Sequence, residues 1–325
     1  MKRDHNLDFY RGIAILWIVV IHTCFNSGRS YVPDYIRHLS LIIDVPLFMF
    51  LSGLAHHYSD SFEKTIKGIV KLYLHYAIFM VIFVAYCLIF YRSSVHFKDL
   101  ILLFFFNVNS KLPLVVIGYS LWFMPMYIIT SLLCSSFLEK RSLKFYHLIF
   151  TIVLYGLSKY YFSFKILPMI FLYSFIYLFG YFVYDKKLSF RNLIIFLLLL
   201  LVANLVFQFS GPYGFHNMQS AKFSYELAYL VYSFVSIITV WYLYTNFDIH
   251  NRFISYLGQN SFIVYLAQGV SSSILYFIVP YVHLWWPYKL LWMIIINTII
   301  CLVLFFILKF IYKFLDNLVN KCLIY

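Results

Sequence analysis

Charge is what this sequence has least of: Asp, Glu, Lys and Arg make up 11% of its 325 residues, while hydrophobic side chains make up 63%. With a mean hydropathy of +0.84, a water-soluble fold is excluded, because a globular core cannot hide that much apolar surface. Paired cysteines are missing as well. The five present (Cys24, Cys87, Cys134, Cys301 and Cys322) lie far apart, without the spacing of a zinc site or a redox motif. They read as inert thiols in helices, and no metal ligand set is expected. Strict alternation of apolar and polar residues is absent, which excludes the strands of a membrane barrel. A cleavable leader is not expected, because the first apolar run carries Arg11 near its start and no small-residue cleavage site follows it. Nothing resembles a soluble domain, a long linker or an internal repeat, so residues 1–325 read as a single transmembrane domain.

What the sequence does have is a succession of continuous runs rich in Leu, Ile and Phe. A hydrocarbon slab about 30 Å thick asks for about 20 apolar residues per spanning helix, and only helices or closed barrels satisfy their backbone groups inside it. The expected fold is therefore all-α, a polytopic integral membrane bundle of about ten transmembrane helices. They are placed near 9–26, 36–57, 70–91, 118–138, 146–162, 166–184, 191–209, 224–246, 254–279 and 288–313.

The formal net charge of +13 suggests nucleic acid at first sight, but the lysines and arginines sit in short loops between apolar runs. That distribution orients a chain in a membrane, and no nucleic-acid partner is expected. With an even number of helices and the N-terminus inside, the inner segments collect most of the basic residues, among them Lys64, Lys67, Lys71, Lys140, Arg141, Lys186, Lys187 and Arg252. A multi-pass cell-membrane protein with both termini cytoplasmic follows. Arg92 to Gly118 is then the longest outer connection, with an apolar patch at Leu100 to Phe106 too short to span alone. Ser210 to Lys222, with Gly211, Pro212, Gly214 and His216, carries the turn chemistry of a cap on the outer face.

Ionisable side chains inside spanning segments cost about 2.5–3.5 kcal/mol each at mid-helix, so each is a candidate for function. The first helix holds Asp8, Arg11 and His22. Arg11 and His22 are eleven residues apart, which puts them on one helix face and about 16 Å apart along the axis. That span is on the order of an extended phosphopantetheine arm, so Arg11 is a candidate for cofactor phosphate and His22 for the acyl end. Asp8, one turn before Arg11, is placed to pair with and orient the guanidinium. The plainer reading is a snorkelling arginine with a counter-ion and a structural histidine. A neutral, desolvated imidazole also suits a general base. In the second run Asp44 and Pro46 interrupt the apolar residues; Pro46 is expected to bend the helix, and Asp44 either orients His22 or holds another polar partner at a packing site. His56 and His57 read as interfacial. Lys67 and Lys71 suit a phosphorylated cytosolic ligand, or serve orientation alone. Trp122 and Phe123 read as ordinary membrane aromatics.

At these residues the chain resembles the membrane acyltransferase-3 family, which includes bacterial O-acetyltransferases of surface polysaccharides. Leu7-Asp8-Phe9-Tyr10-Arg11-Gly12 followed by His22 is similar to its arginine, ten residues, histidine signature; Asp44-Val45-Pro46-Leu47-Phe48 with Leu51-Ser52-Gly53, Leu121-Trp122-Phe123, and Leu257-Gly258-Gln259-Asn260-Ser261 through Tyr265 resemble further motifs. The chain departs from the family at Lys67, Lys71 and Leu74, where arginines and a proline are common, and at Gln268, where a histidine is. The resemblance implies transfer of an acyl group, usually acetyl from cytosolic acetyl-CoA, to a hydroxyl of a cell-surface glycan or its lipid-linked precursor. Acetyl-CoA is then the donor substrate, with membrane lipid as surroundings. It implies Arg11 and His22 as the functional pair. Catalysis by His22, with Asp44 or Asp8 orienting it, and donor binding by Arg11, Lys67 and Lys71, is the expected division of labour. The rival from another class is a transporter, a flippase for a lipid-linked sugar, in which Asp44, His22 and Arg11 line a path. It would favour paired broken helices in two repeated halves, and only Pro46 suggests an interruption.

Overall fold

The structure is a computed structural model, and it describes residues 3–59, 61–91, 97–105, 113–140, 143–161, 166–210 and 217–322. Expectations that fall on Lys2, Arg92, Phe106, Lys111, Arg141, Lys165, Gly211, Pro212, Gly214 and His216 lie outside the described residues. Regular structure among the described residues is helical, and nine helical stretches there are long and apolar enough to cross a membrane. The fold is an all-α polytopic membrane bundle.

The apolar runs form helices where backbone satisfaction demands them. In chain order these are α1 (His5–Phe25), α2 (Asp34–Ser40), α3 (Val45–Ser59), α4 (Phe62–Phe90), α5 (Phe97–Leu103), α6 (Val115–Ser120), α7 (Phe123–Lys140) and α8 (Phe145–Tyr161). Then follow α9 (Ile166–Val183), α10 (Phe190–Ser210), α11 (Met218–Phe223), α12 (Leu227–Asn246), α13 (Arg252–Gln259), α14 (Ser261–Ile278) and α15 (Trp286–Cys322). The tenth expected span is α8, whose 17 residues reach about 26 Å at 1.5 Å per residue.

Three runs expected as continuous helices are broken. Residues 41–44 separate α2 from α3, and Pro46 occupies the second position of α3 instead of bending a longer helix. A proline is tolerated in a first turn, where its missing N–H had no intrahelical acceptor. The Asp44 carbonyl accepts the Leu47 N–H at 2.9 Å and opens the new helix. Leu121 and Trp122 likewise separate α6 from α7, and Asn260 separates α13 from α14. In the other direction, α4 starts eight residues before the expected 70, so Lys64 and Lys67 join Lys71 on the helix and do not lie in a loop.

The chain divides into two compact units, Met1–Trp17 with Pro33–Lys67 and Met126–Gln259, and Ile18–Val32 with Gly68–Pro125 and Asn260–Tyr325. In the first, α3 packs on α9 and α13 on α1 at small residues. A Cβ on Gly53 would lie 1.9 Å from the Tyr177 carbonyl oxygen, and one on Gly180 2.3 Å from that of Phe50. At the second crossing a Cβ on Gly258 would lie 1.8 Å from the Asp8 carbonyl oxygen, and one on Gly12 2.1 Å from that of Ile254. Backbones this close are how membrane helices gain packing without a hydrophobic drive between them. Cys134, Leu138, Leu148, Tyr177 and Leu178 form an apolar cluster among α7, α8 and α9. By contrast α10 buries only Leu193 and Asn204, and its remaining leucines and isoleucines suit contact with lipid.

In the second unit α14 packs against α15 and α6. Asn297 of α15 donates through Nδ2 to Thr23 Oγ1 at 2.9 Å and to Ser272 Oγ at 3.0 Å, a polar tie between α1, α14 and α15. Cys24, Cys87, Cys134 and Cys301 are buried, and none of the four is in a disulfide.

Candidate active site

In the first unit the N-terminal end of α1 is fixed by carboxylates. Asp4 precedes the helix, and its Oδ1 accepts the Leu7 N–H at 3.0 Å, an N-cap. Its Oδ2 accepts the hydroxyls of Tyr58 at 2.8 Å and Tyr244 at 2.7 Å, so one side chain ties α1 to α3 and α12. Asp8 is 3% exposed. The structure pairs it with Arg3, through Nε at 2.6 Å and a second guanidinium nitrogen at 3.3 Å, and not with Arg11 as the one-turn spacing suggested. Arg3 lies just ahead of α1, outside the one-turn spacing from which a partner for Asp8 was read.

Arg11 is half-buried on the next turn. No carboxylate engages it among the described residues, and it lies within electrostatic range of the Tyr177 phenol. Tyr177 in turn bonds His56, its hydroxyl 3.2 Å from Nδ1. His56 is buried at 7% exposure, so it is not the interfacial residue its position at a helix end suggested. His57 stacks between Tyr181 and Tyr184.

Asp44 is 2% exposed and doubly held: the Tyr229 hydroxyl donates to its Oδ2 at 2.6 Å, and the Lys222 ammonium lies 2.7 Å from the same oxygen. Lys222 is itself 6% exposed. The sequence reading placed that lysine with the outer loop cations and missed it, because its partner lies in a distant part of the chain. The fully buried Tyr173 hydroxyl, within electrostatic range of Asp44, makes no hydrogen bond among the described residues. Lys67 pairs with Glu63 at 2.6 Å one turn away, with both side chains about three-quarters exposed at 74% and 75%, and Lys71 is exposed on the same helix.

A cleft of about 480 Å³ in this unit is lined by Asp4, Asn6, Lys186, Lys187, Tyr244 and Asp248, among others. With Asp185 also in its wall, three carboxylates face two lysines, a balance that does not attract phosphate.

In the second unit His22 sits half-buried in the last turn of α1, its Nδ1 2.9 Å from Nδ2 of Asn26. Gln268 on α14 is completely buried, and neither end of its amide has a partner among the described residues. Tyr265 donates to the Ser120 carbonyl and meets Phe123 edge to face, so the aromatics at the α6–α7 break and the start of α14 form one contact. Lys309 donates to Oδ1 of Asn260 at the break before α14. These two breaks and the Gly258 contact with α1 account for motif positions that composition alone left as ordinary membrane residues.

Because α1 is one unbroken helix from His5 to Phe25, Arg11 and His22 keep the common register that their spacing implied. Chemically, the first helix supplies a cation without a carboxylate partner among the described residues and an imidazole that meets an amide. A family model described as an acyltransferase domain matches residues 4–312. No curated protein and no solved structure matches the chain.

Proposed function

The chain belongs to the membrane acyltransferase-3 family, and from that premise we propose that it transfers an acetyl group from cytosolic acetyl-CoA to a hydroxyl of a cell-surface glycan or its lipid-linked precursor. That it is a membrane acyltransferase follows from the match over nearly the whole chain. The finer reading rests on one observation: Arg11, half-buried within the first apolar helix, has no carboxylate partner among the described residues, while nearby Asp8 is committed to Arg3.

A guanidinium in that state is suited to a phosphate or pyrophosphate of the donor. A thioester is already activated, so the remaining need is to take the proton from the acceptor hydroxyl as it attacks, and His22 is the group on α1 for that task. Asp8 and Asp44 serve through their partners: Asp8 fixes the turn that carries Arg11, and Asp44 fixes the start of α3 through Lys222 and Tyr229. Lys67 and Lys71, exposed on the first turns of α4, add attraction for an anionic donor when both termini lie in the cytoplasm.

Mass analysis of surface polysaccharide from cells with and without the gene tests this reading. Loss of an ester-linked acetyl group is the expected result. An unchanged polymer held on the wrong membrane face would instead identify a transporter.

A further inference from the structure

Asn26 follows the last turn of α1, where an asparagine commonly spends its side chain on neighbouring backbone groups. Here it makes no side-chain cap bond to the short 3-10 turn Ser27–Ser30 that it precedes. Its backbone N–H is answered separately, by the His22 carbonyl at 3.0 Å. The side-chain amide of Asn26 instead meets Nδ1 of His22 at 2.9 Å, one helical turn away.

The consequence is chemical. A neutral imidazole carries one proton on either ring nitrogen, and the hydrogen bond made by one nitrogen decides the role of the other. A primary amide presents a donor at one end and an acceptor at the other, exchanged by a half turn of the side chain. With Nδ2 facing the ring, as it does here, Asn26 donates to Nδ1 and the ring proton sits on Nε2; a base that acts through Nε2 needs the reverse, its proton on Nδ1 facing Oδ1. Resting on the reading of His22 as the base, we propose that Asn26 is the positioning residue of His22, fixing the ring plane and, after the half turn that exchanges its amide ends, holding the proton on Nδ1 through Oδ1.

In the transfer step the acceptor hydroxyl gives its proton to Nε2 as its oxygen attacks the thioester carbonyl carbon. The carbon–sulfur bond breaks, and the departing thiolate takes that proton back from Nε2. Throughout, Nδ1–H donates to Asn26, so the imidazolium formed midway has an acceptor without a second buried charge, which an apolar helix would penalise. This differs from the carboxylate orienters expected from sequence: Asp8 and Asp44 are engaged by Arg3 and by Lys222 with Tyr229.

The test compares the full-length protein with Asn26→Ala, Asn26→Asp and His22→Ala, following acetyl transfer against pH in lipid vesicles. Asn26→Ala is expected to lower kcat about tenfold or more while leaving the KM for acetyl-CoA unchanged. Asn26→Asp is expected to recover most of that rate, with the acid limb of the pH profile moved to higher pH, because a carboxylate beside the ring favours the imidazolium. A merely structural asparagine would not move that limb. Wild-type kcat in Asn26→Ala, or an unmoved acid limb in Asn26→Asp, overturns the assignment, and the second variant decides alone if the first fails to fold. Full activity in His22→Ala overturns the base reading itself; an inactive His22→Ala beside an unaffected Asn26→Ala overturns only the role of Asn26.

Discussion

Two regions of the first unit treat buried charge in opposite ways. At the starts of α1 and α3 the carboxylates are answered: Asp4 by a backbone N–H and two tyrosines, Asp8 by two guanidinium contacts, Asp44 by Lys222 and Tyr229. One turn beyond Asp8, Arg11 is half-buried with no carboxylate beside it among the described residues. Pairs that close on themselves hold helices in place and leave little for a ligand. An unanswered cation in an apolar helix is costly, and an anion arriving during the working cycle removes that cost. The contrast separates residues that build the protein from those that serve its chemistry, although all are ionisable groups in membrane helices.

The contrast is sharpened most strongly at Asp44. Asp44→Ala takes the carboxylate partner from the buried Lys222 ammonium, and thermal or denaturant unfolding in detergent should show a loss of about 3–5 kcal/mol. Adding Lys222→Met should restore most of it. A double variant no more stable than the single one would mean that the pair is not a closed structural unit.

A smaller loss is expected where α13 meets α1. Gly258→Ala forces a Cβ against the Asp8 carbonyl oxygen, 1.8 Å away in the present packing. Overpacking of this kind costs about 1–3 kcal/mol, read as a lower unfolding midpoint, and an unchanged midpoint would show that this crossing opens freely.

Arg11 should behave in the reverse sense. Arg11→Ala is expected to raise the KM for acetyl-CoA about tenfold, about 1.4 kcal/mol of lost donor binding, while unfolding stability holds or rises. A large drop in stability with an unchanged KM would place Arg11 among the structural charges and break the comparison. The smallest effect is expected from Lys67→Ala combined with Lys71→Ala. Exposed lysines act at a distance, so the rise in donor KM should be within threefold at low salt and fade above about 0.15 M, where the Debye length is near 8 Å.

The helical class was legible because long Leu, Ile and Phe runs leave the backbone no other way to satisfy itself. The breaks at 41–44 and 121–122 were not, because apolar residues continue into them and Pro46 alone does not distinguish a kink from a first turn, whereas Gly258-Gln259-Asn260-Ser261 does carry turn chemistry at the third break. On α1 the register of Arg11 and His22 could be read from eleven-residue spacing, since the helix is unbroken. Partners from elsewhere in the chain could not be read. Lys222 resembles any loop lysine until the fold lays it on Asp44, and His56 resembles an interfacial histidine until Tyr177 covers it. Asn26 was closest to legible, being one helical turn from His22, but a polar residue at a helix end is first explained as a cap.

The account turns on the His22 imidazole taking part in acyl transfer. The direct measurement follows labelled acetyl from acetyl-CoA to an acceptor glycan, comparing wild type with His22→Ala at matched amounts of folded protein. A loss of about 10²–10⁴ in kcat with an unchanged unfolding midpoint is the predicted result, the usual weight of a positioned general base. Transfer at the wild-type rate by His22→Ala would contradict it.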